Sequence, residues 1–241
     1  MSLYSSIPSA PPGALEFLSS LPLFADLEGE QLEQIALRVN RRTFALGITL
    51  FHQDMPGTMM YMIESGSVRV ISIGRTGQEL TLNVLGPGEI FGELSLLDGQ
   101  QRSATAITLA PAVVWLLSQV DLKEFMSKYP PVNQAMLKIL VERVRTTARR
   151  LEAMTFQDVL GRLAFELLSL AERSGQPCEV GIEITIPLTQ VDLATMVGAT
   201  RESVNKAVSI LRSKELIDVD GTRWFLQDPA GMQQILYERG R

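Results

Sequence analysis

The spacing of apolar positions changes character twice along the chain. The opening amphipathic stretch, LEFLSSLPLFADLEGEQLEQIALRV from Leu15 to Val39, predicts helices packed across whatever follows. Six short β-rich runs come next: FALGITLF, MMYMIE, SVRVISI, ELTLNVL, SATAITL and AVVWLL. In the fourth, Leu80, Leu82 and Val84 alternate with Thr81 and Asn83, which predicts a strand with the leucines and valine on a buried face. Nine of the 18 glycines fall between Gly47 and Gly99 and punctuate these runs. Short strands so divided predict a compact antiparallel roll or barrel.

After KYPPVN the period becomes helical. Leu137, Leu140, Val144, Thr147, Leu151 and Met154 are spaced 3, 4, 3, 4, 3, a heptad seam that calls for a facing helix. Two partners fit such a seam, a second copy of the chain or the helix's own domain. The bases around it leave little apolar surface for the latter and favour a dimer. Thr147 is the polar member, and it either sets register or meets something polar in the interface.

VLGRLAFELLSLAERSG then predicts an amphipathic helix closed by Gly175. Thr189 or a neighbour caps a short helix with Leu193, Met196 and Val197 inward, Gly198 makes the turn, and Thr200 caps a second helix burying Val204, Ala207, Val208 and Leu211. LIDVDGTRWFL adds strand, Asp-Gly turn and strand. The predicted fold class is α+β: an antiparallel β-roll of jelly-roll type joined by a long helix to a winged helix-turn-helix. The boundaries are a tail and first-helix start at 1–21, the roll at 22–130, the dimer helix at 131–157 and the winged domain at 158–241, with a hinge near 155–159.

Composition narrows the class. A chain of 241 residues with 46% hydrophobic content holds two ordinary cores. One cysteine, Cys178, forms neither an internal disulfide nor a Cys-rich metal site, so a cytoplasmic setting is expected. The start, MSLYSSIPSAPPG, lacks the basic and apolar parts of an export signal, and no run approaches the ~20 apolar residues of a membrane span. The net charge of −5 hides two local reversals, five bases against one acid in 138–150 and four against one in 200–214. Such clusters are either solvated helix faces or contacts to a polyanion.

The chemistry lies in two motifs. On the second helix of the helix-turn-helix, Arg201, Glu202, Asn205, Lys206 and Ser209 face outward near the N-terminal half, where a recognition helix meets base edges. The other motif is FGELSLLDGQQRSATA, residues 91–106. Arg102 and Ser103 offer donors to a phosphate, and Gly92 frees backbone amides at the start of GELSL. Glu93 either accepts from a sugar hydroxyl, which makes the motif a sugar-phosphate site, or pairs with Arg102 to tie a loop to the roll.

That second motif closely resembles the phosphate cassette of cyclic-nucleotide-binding domains. With TRESVNKAVSILRS, the chain from about residue 15 to 236 resembles transcription factors of the cyclic-AMP receptor protein and fumarate-nitrate regulator superfamily. The resemblance implies a bacterial homodimer whose effector, cyclic AMP first among candidates, is held by Gly92, Glu93, Leu94, Arg102, Ser103, Ala104 and Thr147, with no metal. It implies double-stranded DNA read by Arg201, Glu202 and Lys206, with Thr189, Gln190, Thr200 and Ser203 near phosphates, and RNA polymerase as a further partner. Two positions depart from the cyclic-AMP receptor: Ala148 replaces the hydroxyl that the partner subunit brings to adenine, and Lys206 replaces an arginine. One cysteine cannot hold the iron-sulfur cluster of the fumarate-nitrate branch, and His52 stands alone as a haem ligand. The alternatives are the same DNA-binding dimer acting without nucleotide or sensing another anion such as a cyclic dinucleotide. A metal-dependent β-roll enzyme fails, because it needs several histidines and the chain has one.

Overall fold

The structure, a computed structural model, describes residues 9–239, so the first part of the expected tail lies outside the described residues. Helices α1 (Ala14–Ser20) and α2 (Gly29–Ala36) lead in, the latter opened by a Glu28–Gln31 capping box. Strands β1 (Asn40–Phe44), β2 (Thr49–Phe51), β3 (Met59–Ser65), β4 (Val68–Ile73), β5 (Glu79–Leu85) and β6 (Ile90–Phe91) follow. Helix α3 (Leu94–Asp98) precedes β7 (Thr105–Thr108) and β8 (Ala112–Ser118).

The roll consists of two antiparallel sheets, ordered β1-β8-β3-β6 and β2-β7-β4-β5. Tyr61, Ile63, Phe91 and Val114 from the first sheet meet Val68, Leu85 and Ala106 from the second. The outer face of the first sheet, with Met60, Met62, Trp115 and Leu117, takes α1, α2, α4 (Gln119–Lys128) and the start of α5 (Pro130–Phe156). Covered on both faces, β3 and β8 read as continuous apolar runs rather than alternating ones.

Two expectations about strands are corrected. FALGITLF is not one strand: Phe44 ends β1 in the first sheet, Thr49 starts β2 in the second, and Gly47 at φ 77° lets the chain cross between them. The face assigned to β5 holds for Val84, which is fully buried, but not for the two leucines. Leu80 and Leu82 are 36% and 40% exposed, whereas Thr81 is 1% exposed. A bulge at Leu82, between Thr81 paired with Ile71 and Asn83 paired with Val70, breaks the period of two, and a helix of the second domain covers Thr81.

Helix α5 runs unbroken for 27 residues. Its first turns bury Val132, Ala135 and Met136 against the roll, while Leu137, Val144 and Leu151 stand 62%, 70% and 65% exposed. Those three seam positions are therefore left uncovered by the described chain, while Leu140 packs partly buried beside the roll. Gln157 and Asp158 interrupt the helix, and the Asp158 carboxylate accepts from the Gly161 amide at 2.9 Å to start α6 (Val159–Ser174).

The winged domain continues with β9 (Gly175–Cys178), β10 (Gly181–Ile184), α7 (Gln190–Val197), α8 (Arg201–Ser213), β11 (Ile217–Asp220), β12 (Arg223–Leu226) and α9 (Pro229–Arg239). The hairpin expected at 216–226 belongs to a larger sheet, β11-β12-β10-β9. GQPC carries Gly and Pro and is largely exposed, so β9 has no alternation to betray it. Trp224, 1% exposed, donates its indole N–H to the Leu188 carbonyl at 2.8 Å and locks the wing to the lead-in of α7. Among the described residues no helix is long and apolar enough to cross a membrane.

Candidate functional site

Arg102 is 4% exposed, and every bond it makes is to a neutral acceptor. Its guanidinium donates to the Gly92 carbonyl at 2.5 Å, the Ser95 hydroxyl at 2.9 Å and the Met59 carbonyl at 2.6 Å, and it lies 4.1 Å from the Phe51 ring centroid. Burial pulls its pKa below the ordinary arginine value, opposed by Tyr61 and Glu93. Arginine stays protonated in proteins, so a desolvated cation remains with no carboxylate bonded to it, and its Nε has no partner. Glycines shape the nest. A Cβ on Gly92, at φ 77°, would lie 2.7 Å from Arg102 Nη1, and one on Gly57 would lie 2.2 Å from Ser95 Oγ.

Glu93 does not pair with Arg102. One carboxylate oxygen accepts from Arg143 of α5, which also donates to the Ile90 carbonyl, and the other, Oε2, is buried with no partner. The loop-tying ion pair weighed from the spacing is therefore absent. Between roll and α5 lies a cavity of about 960 Å³. All seven expected ligand positions (Gly92, Glu93, Leu94, Arg102, Ser103, Ala104 and Thr147) line it.

Ser95, Arg143 and Thr146 line the same cavity and were not anticipated. Arg143 is one of the five bases in 138–150. Its position four residues before Thr147 places both on one helical face, the signal that could have found it. Among the described residues no cluster of His, Cys, Asp and Glu is arranged to hold a metal ion.

In the winged domain the Thr189 hydroxyl accepts from the Asp192 amide, Gly198 turns the chain at φ 60°, and the Thr200 hydroxyl accepts from the Ser203 amide. Local side chains thus set both helix starts. Val204, Ala207, Val208 and Leu211 are buried, which turns Arg201, Glu202, Lys206 and Ser209 to solvent, with Ser203 and Asn205 half-buried beside them. Thr189 and Thr200 are exposed, and Gln190 is half-buried at the start of α7. Glu202 has its pKa lowered, first by a hydrogen bond with its own backbone, then by one with Thr200, and further by Arg201 and Lys206. Its carboxylate therefore belongs to the positive start of α8.

A β-roll with a buried cation beside a cavity, followed by a winged helix-turn-helix with its second helix exposed, defines a DNA-binding regulator with an effector domain. The comparisons agree. The family model for the cyclic nucleotide-binding domain matches residues 41–129, and that for the Crp-like helix-turn-helix domain matches 161–235. A CRP-like cAMP-activated global transcriptional regulator from Mycobacterium tuberculosis is 31% identical, over 88% of this chain and 95% of that protein. The cyclic AMP receptor protein of Thermus thermophilus is 28% identical, over 90% and 97%. The structure of FixK2 from Bradyrhizobium japonicum superposes with a TM-score of 0.74, covering 82% of this chain and 96% of that one; at 17% identity it speaks for the fold alone.

The chain belongs to the Crp/Fnr family. Its members are transcription regulators, not enzymes.

Proposed function

We propose that the chain acts in the cytoplasm as a homodimeric transcription regulator gated by a cyclic nucleotide, with cyclic AMP first. The observation that carries this reading is Arg102, a buried cation with neutral partners only, at the wall of a cavity also lined by Glu93, one of whose carboxylate oxygens is buried without a partner. A cyclic phosphate supplies the missing anion and a ribose hydroxyl the missing donor. The relatives from M. tuberculosis and T. thermophilus named for cyclic AMP support the choice of nucleotide.

In this reading residues 22–130 bind the nucleotide, 131–157 form the dimer helix through Leu137, Val144 and Leu151, and 158–241 bind DNA. Arg201, Glu202 and Lys206 read bases; Thr189, Gln190, Thr200 and Ser203 position phosphates. A nucleotide touching Arg102 and, across the cavity, Thr147 biases the packing of the paired α5 helices, and hence the spacing of two recognition helices. DNA affinity rises only as far as nucleotide prefers the DNA-competent state. RNA polymerase is the partner downstream.

In the single chain the cavity lies near the upper end of the ~300–1,000 Å³ typical of ligand pockets, which admits a cyclic dinucleotide as the second reading. Calorimetric titration of the purified protein with cyclic AMP, cyclic GMP and cyclic di-GMP separates these. Binding of cyclic AMP alone supports the first reading, tighter binding of cyclic di-GMP replaces it with the second, and no binding by any overturns nucleotide gating.

A further inference from the structure

The winged domain is docked on the roll. Thr81 of β5 and Thr195 of α7 share a hydrogen bond of 2.8 Å, Arg69 Nη1 lies 3.7 Å from Asp192, and Val84 of β5 packs into the winged domain's apolar core. Two arginines hold the same junction. Arg173 at the end of α6 donates to Asn83 Oδ1 at 3.2 Å, Glu89 Oε1 at 3.1 Å and the Val84 carbonyl at 3.3 Å.

Arg150 of α5 does more. It grips Glu166 of α6 through two bonds of 2.6 Å, Nε to Oε1 and Nη2 to Oε2, and its remaining nitrogen donates to the carbonyl of Leu82 in β5. Glu166 is 2% exposed beside the buried Leu163, Leu167 and Leu170, so its charge depends on this one guanidinium. Arg150 and Leu82 both line the cavity; Glu166 does not. Arg150 also lies three and four residues beyond Thr147 and Thr146, on the helical face they share.

We propose that the Arg150–Glu166 pair is the joint through which occupancy of the cavity reaches the DNA-binding domain. It rests on the cyclic-nucleotide reading above. A nucleotide that shifts β5 at Leu82, or the α5 turn at 146–150, moves the Arg150 guanidinium, and α6 follows because, among the described residues, its buried carboxylate has no other cation bonded to it. Arg150 and Glu166 are thus positioning residues for the effector response, and neither is required to touch the nucleotide or the DNA.

The test uses the full chain and Glu166→Gln, which keeps the shape of the side chain and removes its charge. Cyclic AMP affinity is measured by calorimetry, and DNA affinity with and without saturating cyclic AMP by fluorescence anisotropy. The joint predicts nucleotide affinity within about threefold of wild type, and a fall of at least about tenfold in the ratio of the two DNA affinities, a purely energetic coupling. A merely structural contact would lower the melting temperature and leave that ratio alone, which overturns the joint.

Amide exchange of the unmodified chain decides the matter even if the variant fails to fold. Saturating cyclic AMP changes exchange in α6 at 160–170, beyond the cavity wall, whereas identical exchange there overturns the joint. A wild-type chain that binds no nucleotide in calorimetry overturns the parent reading and the joint with it. Binding without transmission overturns the joint alone.

Discussion

Replacing Arg102 with Gln removes the cation on which the anion site is built. In the free protein Arg102 is 4% exposed and its guanidinium makes three bonds to uncharged acceptors. Those bonds are worth roughly 1.5–3 kcal/mol each, against a desolvation penalty of several kcal/mol for a buried ion. The two are of similar size, so the nucleotide-free chain should change in stability by no more than about 2 kcal/mol. The bound state differs. A phosphate left buried without its charged partner loses about 2–5 kcal/mol, which weakens binding roughly 30- to 5,000-fold. Calorimetry with cyclic AMP at fixed salt measures the affinity, and urea unfolding measures the free-state stability. Saturating nucleotide, at about 100 times the wild-type Kd, should raise wild-type stability by about 2.7 kcal/mol and that of the variant by no more than about 0.9 kcal/mol at the same concentration. Binding within threefold of wild type would refute the assignment, because a cation in contact with the phosphate cannot be removed so cheaply.

Three further outcomes follow from the same geometry. Val144→Glu places like charges in the middle of the seam and forfeits about 2 kcal/mol of burial per copy, so the proposed dimer should weaken by about three orders of magnitude in analytical ultracentrifugation; an unchanged dimer moves the interface elsewhere. Lys206→Ala should cost about 1–3 kcal/mol on the preferred DNA site if Lys206 reads a base, with relaxed selectivity at one position; a uniform loss with a salt slope smaller by about one assigns it to phosphate instead. Glu202 is held below the ordinary carboxylate value of 4.5, so its contribution to folding is present above that pH and disappears as pH falls through its lower folded value. Glu202→Gln should therefore narrow the stability difference from wild type on acidification, and a gap that persists below both values excludes the helix-start role.

The helix-turn-helix was legible because its determinants are local. Thr189 and Thr200 cap helices that begin one residue later, Gly198 takes the left-handed turn, and the apolar spacing fixes which face goes inward. Each depends on neighbours within about four residues, and such short-range hydrogen bonds and side-chain contacts act whatever the rest of the chain does. The cassette was legible as a composition of donors and acceptors around Arg102. Its wiring was not, since Met59, Gly57 and Arg143 reach the site from 43, 45 and 41 residues away in sequence.

The same division explains the errors. Leu80 and Leu82 follow a perfect strand alternation with Val84, yet the bulge at Leu82 and the docking of α7 on Thr81 leave both leucines exposed and only Val84 buried as the period requires. Period arguments assume an uninterrupted strand with one covered face; the first condition fails in the pairing with β4, and the second is settled by α7, 114 residues distant. Sequence alone determined the roll-helix-winged-domain order, the two-helix motif with its caps, the long helix and the stock of charged groups, because local backbone and side-chain energies are decided within a turn or a strand. Tertiary structure alone decided that Arg102 has no carboxylate partner, that Glu93 turns to α5, and that Arg150 joins three elements. Those outcomes depend on which distant groups share a desolvated space, where a single charge is stabilised or not by whatever the fold brings alongside it.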